Sequence, residues 1–155
     1  MSEIKAGMTK AGLGLLAKSQ TGKIIEFTKI KIGNGIINNE NISELNDLIN
    51  IIDVLDIKQS EIIQNEDNSI FLKVTSFIKQ AELGYYFREM GLFAIDPDTQ
   101  NEILYGYLNK GDEATYIPNN SSPLAIQELA TMIVAIGNTD NIIVHCDSEL
   151  KIIEQ

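Results

Sequence analysis

The chain has 155 residues, 44% of them hydrophobic and 22% charged, with a formal net charge of −10 at pH 7. Those values fit one soluble globular domain, and the acidity argues against nucleic acid as the main partner, because phosphate binding asks for a basic surface. No stretch nears the roughly 20 apolar residues of a membrane span, and a single cysteine, Cys146, excludes an internal disulfide framework.

The first seven residues lack an apolar core of signal-peptide length, so a cytoplasmic protein is expected. Residues 1–31 carry six lysines against Glu3 and Glu26, which reads as solvated lysines on a first helix and strand. Thr9 is a fitting N-cap for a helix over residues 9–20, with Met8, Ala11, Leu15 and Leu16 on one face and Gly22 at its end. Residues 23–32 are rich in β-formers. Their alternation is clean from Thr28 to Ile32 and changes phase before it, which suggests a bulge. Gly33-Asn34-Gly35 then reads as a turn.

Residues 36–43 read as a loop, and Ser43 is placed to cap a short helix over 44–49. The stretch 50–63 is read as a strand, although Ile51, Val54 and Leu55 also fit a helical period. Asn65–Asn68 makes a turn into an alternating strand over 69–78, giving a hairpin. Residues 84–95 follow and hold the only arginine of the chain. As one strand, they put Tyr85, Phe87, Glu89, Gly91, Phe93 and Ile95 on one face and Tyr86, Arg88, Met90, Leu92 and Ala94 on the other. Both faces are mainly apolar, so the strand should be covered on both sides. Arg88 and Glu89 then each need a separate partner, and a buried ion pair at each site is the expectation.

After the turn at Asp96-Pro97-Asp98, residues 102–108 return antiparallel, with Tyr105 and Tyr107 on one face and Gly106 opposite. Residues 109–123 read as a long loop, followed by two apolar strands over 127–136 and 141–146. The fold class is therefore α+β and mainly antiparallel β, an N-terminal helix followed by β-hairpins in a single domain.

Little in this order carries chemistry. His145 and Cys146 are adjacent on a strand and point to opposite faces, so they make a poor nucleophilic dyad. One histidine and one cysteine cannot build a zinc site within one chain. The Asp96–Asn101 segment starts like a calcium loop but lacks glycine at its sixth position and glutamate at its twelfth, which is Tyr107. Gly33-x-Gly35 lacks the third glycine of a dinucleotide site. A catalytic role for Glu89 would need a cleft lined by it and a second carboxylate. No catalytic, cofactor-binding or metal-binding residue is expected, and no enzyme. Tyr85, Tyr86, Tyr105, Tyr107 and Tyr116 would serve a carbohydrate-binding module if exposed, whereas tyrosines alternating on apolar strands belong to a core.

Three blocks together resemble the phage tail-collar fibre family: Met8-Thr9-Lys10-Ala11-Gly12, Phe27 to Gly35, and Phe87-Arg88-Glu89-Met90-Gly91-Leu92-Phe93. Tyr116-Ile117-Pro118, the strands near Ile133 and Ile142, and Asp147-Ser148-Glu149-Leu150 follow in that family's order. The resemblance implies a virion-proximal attachment domain of a contractile-tailed phage or phage-tail-like particle, prophage-borne forms included. It implies a structural protein of the virion tail, assembled in the bacterial cytoplasm. It also implies partners in a phage baseplate protein and a distal fibre shaft, a homotrimer, and neither nucleic acid nor membrane. Structural or interface roles fall to Arg88, Glu89, Gly91, Phe93, Gly33 and Gly35. Residues 1–146 would form the attachment domain, and 147–155 an exit segment toward a missing or separate shaft. Related proteins run on into a shaft and receptor-binding tip. The alternative reading is a stand-alone carbohydrate-binding β module of a phage-derived protein.

Overall fold

A computed structural model describes residues 3–121, 128–137 and 139–146. The fold is mainly antiparallel β with one helix near the N-terminus, in one compact body. The order is β1 (Lys5–Met8), α1 (Lys10–Ser19), β2 (Ile25–Gly33), β3 (Ile51–Asp56), β4 (Gln59–Gln64), β5 (Ile70–Ile78), β6 (Tyr85–Phe87), β7 (Glu89–Ile95), β8 (Glu102–Asn109), β9 (Thr115–Ile117), β10 (Glu128–Ile136) and β11 (Ile142–Val144). The proposed exit segment 147–155 and the expected strand start at Gln127 lie outside the described residues.

The main sheet runs β1-β8-β7-β2, and the far edge of β2 is shared by two short strands. There β11 pairs parallel with Ile25–Phe27, while β3 pairs antiparallel with Lys29–Gly33. The predicted phase change in β2 is a bulge: its register with β7 shifts between Phe27 and Lys29, and Thr28 turns its hydroxyl to the Phe93 carbonyl. A second sheet runs β10-β5-β4, and β6 and β9 form a separate two-stranded ladder. The β4–β5 hairpin is as expected. The single strand expected over 50–63 is instead two strands, because the chain bends at Ile57 and Lys58 and serves both sheets.

The larger hydrophobic cluster includes Phe27, Ile30, Leu72, Val74, Leu92, Tyr105 and Val134. A smaller one, with Ile37, Leu48, Phe93, Leu104 and Tyr107, lies beneath the 36–50 loop. Helix α1 follows its predicted bounds. Thr9 caps it by accepting from Gly12 N at 2.9 Å, and its hydroxyl donates to the Leu104 carbonyl. Gly22 leaves the helix with φ +100°, which suits glycine. The buried face is Gly12, Leu15 and Ser19 rather than one containing Ala11, which is exposed.

Four further expectations change. No α-helix forms over 44–49; a single 3-10 turn at Ile42–Glu44 is capped by Asn41, not Ser43. The 109–123 stretch is not a plain loop, since it contains a 3-10 turn at Gly111–Glu113 and strand β9. Residues 84–95 are not one strand: the ladder breaks at Arg88, and Tyr85 and Phe87 join the larger cluster with Met90 and Leu92 instead of facing with Glu89. Finally, a bulge between Leu92 and Phe93 leaves Tyr105 without a register partner. One extra residue reverses the alternation, so Tyr105 joins the larger cluster with Gly106 facing Val134, and Tyr107 joins the smaller.

Candidate functional site

The residues singled out in the sequence meet where β7 begins. Glu89 is fully buried at 0% exposure. Its Oε1 accepts from Ile49 N at 2.9 Å and from the Tyr107 hydroxyl at 2.6 Å. Its Oε2 accepts from Gly35 N at 2.9 Å and from Asn50 N at 2.7 Å. A buried carboxylate needs either a cation or converging donors. Here the donors are three main-chain amides and a phenol, so the ion pair expected for Glu89 is replaced by four uncharged donors, enough to fill its acceptor sites.

Arg88 leaves the chain in the opposite direction and is partly buried. Its Nη1 donates to the Asn34 carbonyl at 2.8 Å and its Nε to the Gly111 carbonyl at 3.1 Å. Main-chain carbonyls thus hold the guanidinium, and partial exposure lowers the cost of its charge. Asn34 C=O and Gly35 N–H belong to one peptide unit, gripped by Arg88 at the oxygen and Glu89 at the nitrogen. The main chain of Arg88 adds to the clamp, since its N–H donates to the Gly33 carbonyl at 2.9 Å and its C=O accepts from Lys110 N at 2.7 Å.

This arrangement gives Gly33 and Gly35 a role different from the expected turn. Neither has a positive φ. A Cβ on Gly33 would come within 2.2 Å of the Asn50 carbonyl oxygen and 2.5 Å of Glu89 Oε2, and one on Gly35 within 2.4 Å of Ile49 Cβ and 2.6 Å of Glu89 Oε2. They are glycines because two backbone segments and a carboxylate share the space. Gly91 is similar, its missing Cβ lying 2.6 Å from Leu104 Cδ1 and 2.7 Å from Leu48 Cδ1. Phe93 is buried against that group, with Lys31 Nζ 4.2 Å above its ring centre.

Sequence reasoning missed Asn109. Buried beside Glu89 in the β7–β8 register, it donates from Nδ2 to the Gly35 carbonyl at 3.1 Å and to the Tyr107 hydroxyl at 3.0 Å, and accepts Gly111 N at 2.9 Å. The signal was present as Tyr107 and Asn109 two apart on one strand face, opposite the charged pair. Burial first, then the hydrogen bond and charge of Glu89, hold the Tyr107 phenol well above its ordinary pKa, so it stays a donor. With its acceptor sites occupied and its surface enclosed, Glu89 has no route to a substrate. Its chemistry is spent on joining β2, β7, β8 and the 49–50 loop.

The tyrosines divide. Tyr85, Tyr105 and Tyr107 are buried; the Tyr85 phenol is pushed up to about 12 by burial and by Asp53. Tyr86 and Tyr116 are cross-strand partners on β6 and β9, each half exposed, with ring centres 5.1 Å apart. They border a groove of about 510 Å³ with Asn34, Ile52 and Leu83. At the far end of the molecule, Asp96 and Asp98 close a turn by pairing with Lys18 at 2.8 and 3.0 Å, and Lys23 adds 2.7 Å to Asp98. His145 contacts Glu26 at 2.9 Å, while Cys146 lies 3.7 Å from Ser60 Oγ, so the two point apart. Among the described residues, no cluster of three His, Cys, Asp or Glu side chains could hold a metal, and no helix is long and apolar enough to cross a membrane.

No protein-family model matches the chain, and no curated protein or solved structure matches it.

Proposed function

We propose that this chain is a structural virion protein, the virion-proximal attachment domain that anchors a phage tail fibre to the baseplate. The observation that carries the reading is the clamp. The most specific block of the resemblance, Arg88-Glu89-x-Gly91-Leu92-Phe93, and the glycine turn Gly33-Asn34-Gly35 that accompanies it lie 54 residues apart and interlock through Arg88 to Asn34 and Glu89 to Gly35. They act as one physical unit, and that unit serves rigidity rather than chemistry. A fibre base has to transmit load through its fold, and a junction of four elements tied by buried charge-assisted hydrogen bonds suits that task. In this reading the chain is not an enzyme, needs no cofactor, assembles as a homotrimer and touches a baseplate protein on one side and a fibre shaft on the other. Its place is the virion tail.

Particles with contractile tails, purified from the culture that encodes the chain, supply the test. The chain should co-purify with them, and immunogold label should mark the baseplate end. Absence from such particles, or label spread over the capsid, overturns the reading. Tyr86 and Tyr116 keep a second reading in view: as exposed aromatics beside a groove, they suit stacking on a sugar ring. A change in tyrosine fluorescence on titration with oligosaccharides, lost in Tyr86→Ala, would favour that carbohydrate-binding module.

A further inference from the structure

We infer that the groove between β1 and the free edge of β10 is a strand-binding site, which takes an extended apolar and basic segment of another protein as a fourth strand of the β10-β5-β4 sheet. The inference goes beyond the fibre-base reading and stands without it.

The two sheets differ in width. The main sheet is five strands across, from β1 to the far edge of β2, and the second is three. Strand β10 lies over β8, since a Cβ on Gly106 would come within 3.1 Å of Val134 Cγ1. Beyond it, above β1, a groove of about 490 Å³ opens, with Ala6, Met8 and Leu108 as its floor and Thr131 and Ile133 in its wall. Alternation puts Ala6 and Met8 on this side of β1, because a Cβ on Gly7 would point the other way, to Ile42 Cγ2 at 3.7 Å. Met8 and Leu108 pack against the larger cluster and are only partly buried.

Hydrogen bonding defines what the wall offers. Lys58, which leads into β4, donates from its N–H to the Thr75 carbonyl at 2.8 Å, so the odd-numbered residues of β5 turn their main chain to β4. The even-numbered ones serve β10, with Ser76 opposite Ala130 and Val74 opposite Met132. Leu129, Thr131, Ile133 and Ala135 then turn their main-chain groups away from β5. The Ala135 carbonyl fits this phase, because it accepts the Tyr105 hydroxyl at 2.7 Å. The amides and carbonyls of Leu129, Thr131 and Ile133 have no partner among the described residues.

That row of donors and acceptors selects the occupant. A small apolar molecule or a folded apolar surface would cover the floor and leave the row unpaired, whereas an extended backbone satisfies both. Edge strands are commonly guarded by a lysine, a proline or a bulge. β10 has none of these. About five residues of added strand match the run from Leu129 to Ile133. Alternate side chains of that strand enter the groove and are apolar, and the others face outward. The net charge of −10 favours lysine or arginine at the outward positions and repels a second, equally acidic copy.

The probe is an octapeptide of alternating lysine and valine, blocked at both ends and titrated into the full chain while amide hydrogen exchange is followed by NMR. It should slow exchange at Leu129, Thr131 and Ile133 by about tenfold or more. The same peptide N-methylated at every residue keeps its valines and charge but cannot pair as a strand, and should protect none of the three. Thr131→Pro removes an outward N–H and leaves the β5 ladder intact, so it should melt cooperatively and lose the protection. If that variant fails to fold, the N-methylated peptide decides. No protection at millimolar probe overturns the inference, as does equal protection by the N-methylated peptide. A glutamate–valine octapeptide that binds as well as the lysine one overturns the basic partner. Protection already present without probe also overturns it: the edge is then taken by this chain's own segment if the mass is 17.2 kDa, or by a second copy if it is a multiple.

Discussion

Adjacent side chains on an extended strand leave in opposite directions, and at Arg88–Glu89 that geometry becomes a clamp on a single peptide unit. The cost of burying Glu89 is offset by four donors that would themselves be costly to bury unpaired, since each orphaned buried donor costs about 1–3 kcal/mol. Glu89→Gln keeps the shape but swaps one acceptor oxygen for an amide that faces donors. It should lose about 3 kcal/mol in urea unfolding, and Tyr107→Phe, which removes one of the four donors, about 2 kcal/mol. The double variant should lose less than the sum, because both act on one network. Strict additivity, or a Glu89→Gln variant as stable as wild type, would mean that the carboxylate does not hold the 34–50 loop. Composition and order made the need for partners legible at this scale. They could not supply the partners themselves, because main-chain amides carry no side-chain signature.

Among the elements, α1 shows two glycines with opposite meanings. A Cβ on Gly12 would sit 2.2 Å from the Tyr105 carbonyl oxygen, whereas one on Gly14 meets nothing within 4 Å. Gly14→Ala should therefore stabilise the protein by up to about 1 kcal/mol through helix propensity alone. The same gain exists at Gly12, but there helix and strand must separate, and overpacking of this kind costs about 1–3 kcal/mol. Gly12→Ala should lower the melting temperature and Gly14→Ala raise it; equal shifts would show that α1 does not lean on β8. Element type was largely legible in the sequence. Thr9 announced α1, Asn65–Asn68 announced the β4–β5 hairpin, and the broken alternation before Thr28 announced a bulge. The second bulge, near Tyr105, left no such trace. Tyr105 and Tyr107 look like ordinary alternation, and one unpaired residue moved them to opposite sides of the sheet.

For the molecule as a whole, acid should act in two opposing ways. Protonating carboxylates relieves the repulsion of a chain at −10, yet it also removes the ion pairs that tie the end of α1 and the start of β2 to the β7–β8 turn. Hydrogen bonding from Lys18 holds the Asp96 carboxyl below its ordinary value, and bonding from Lys23, then Lys18, does the same for Asp98. A carboxyl depressed in the folded state adds stability above its unfolded pKa of about 4, and that stability is lost as pH falls through the folded value. Lys18 is raised mainly by its bond to Asp96, so its share persists below its ordinary pKa and fades only in strong alkali. Asp96→Asn separates the two effects, because it leaves nearly all of the global charge in place. The stability gap between wild type and Asp96→Asn should be constant from about pH 6 to 8 and should narrow below about pH 4. A gap that stays constant into acid would mean that the Lys18 contact contributes nothing to the acid response.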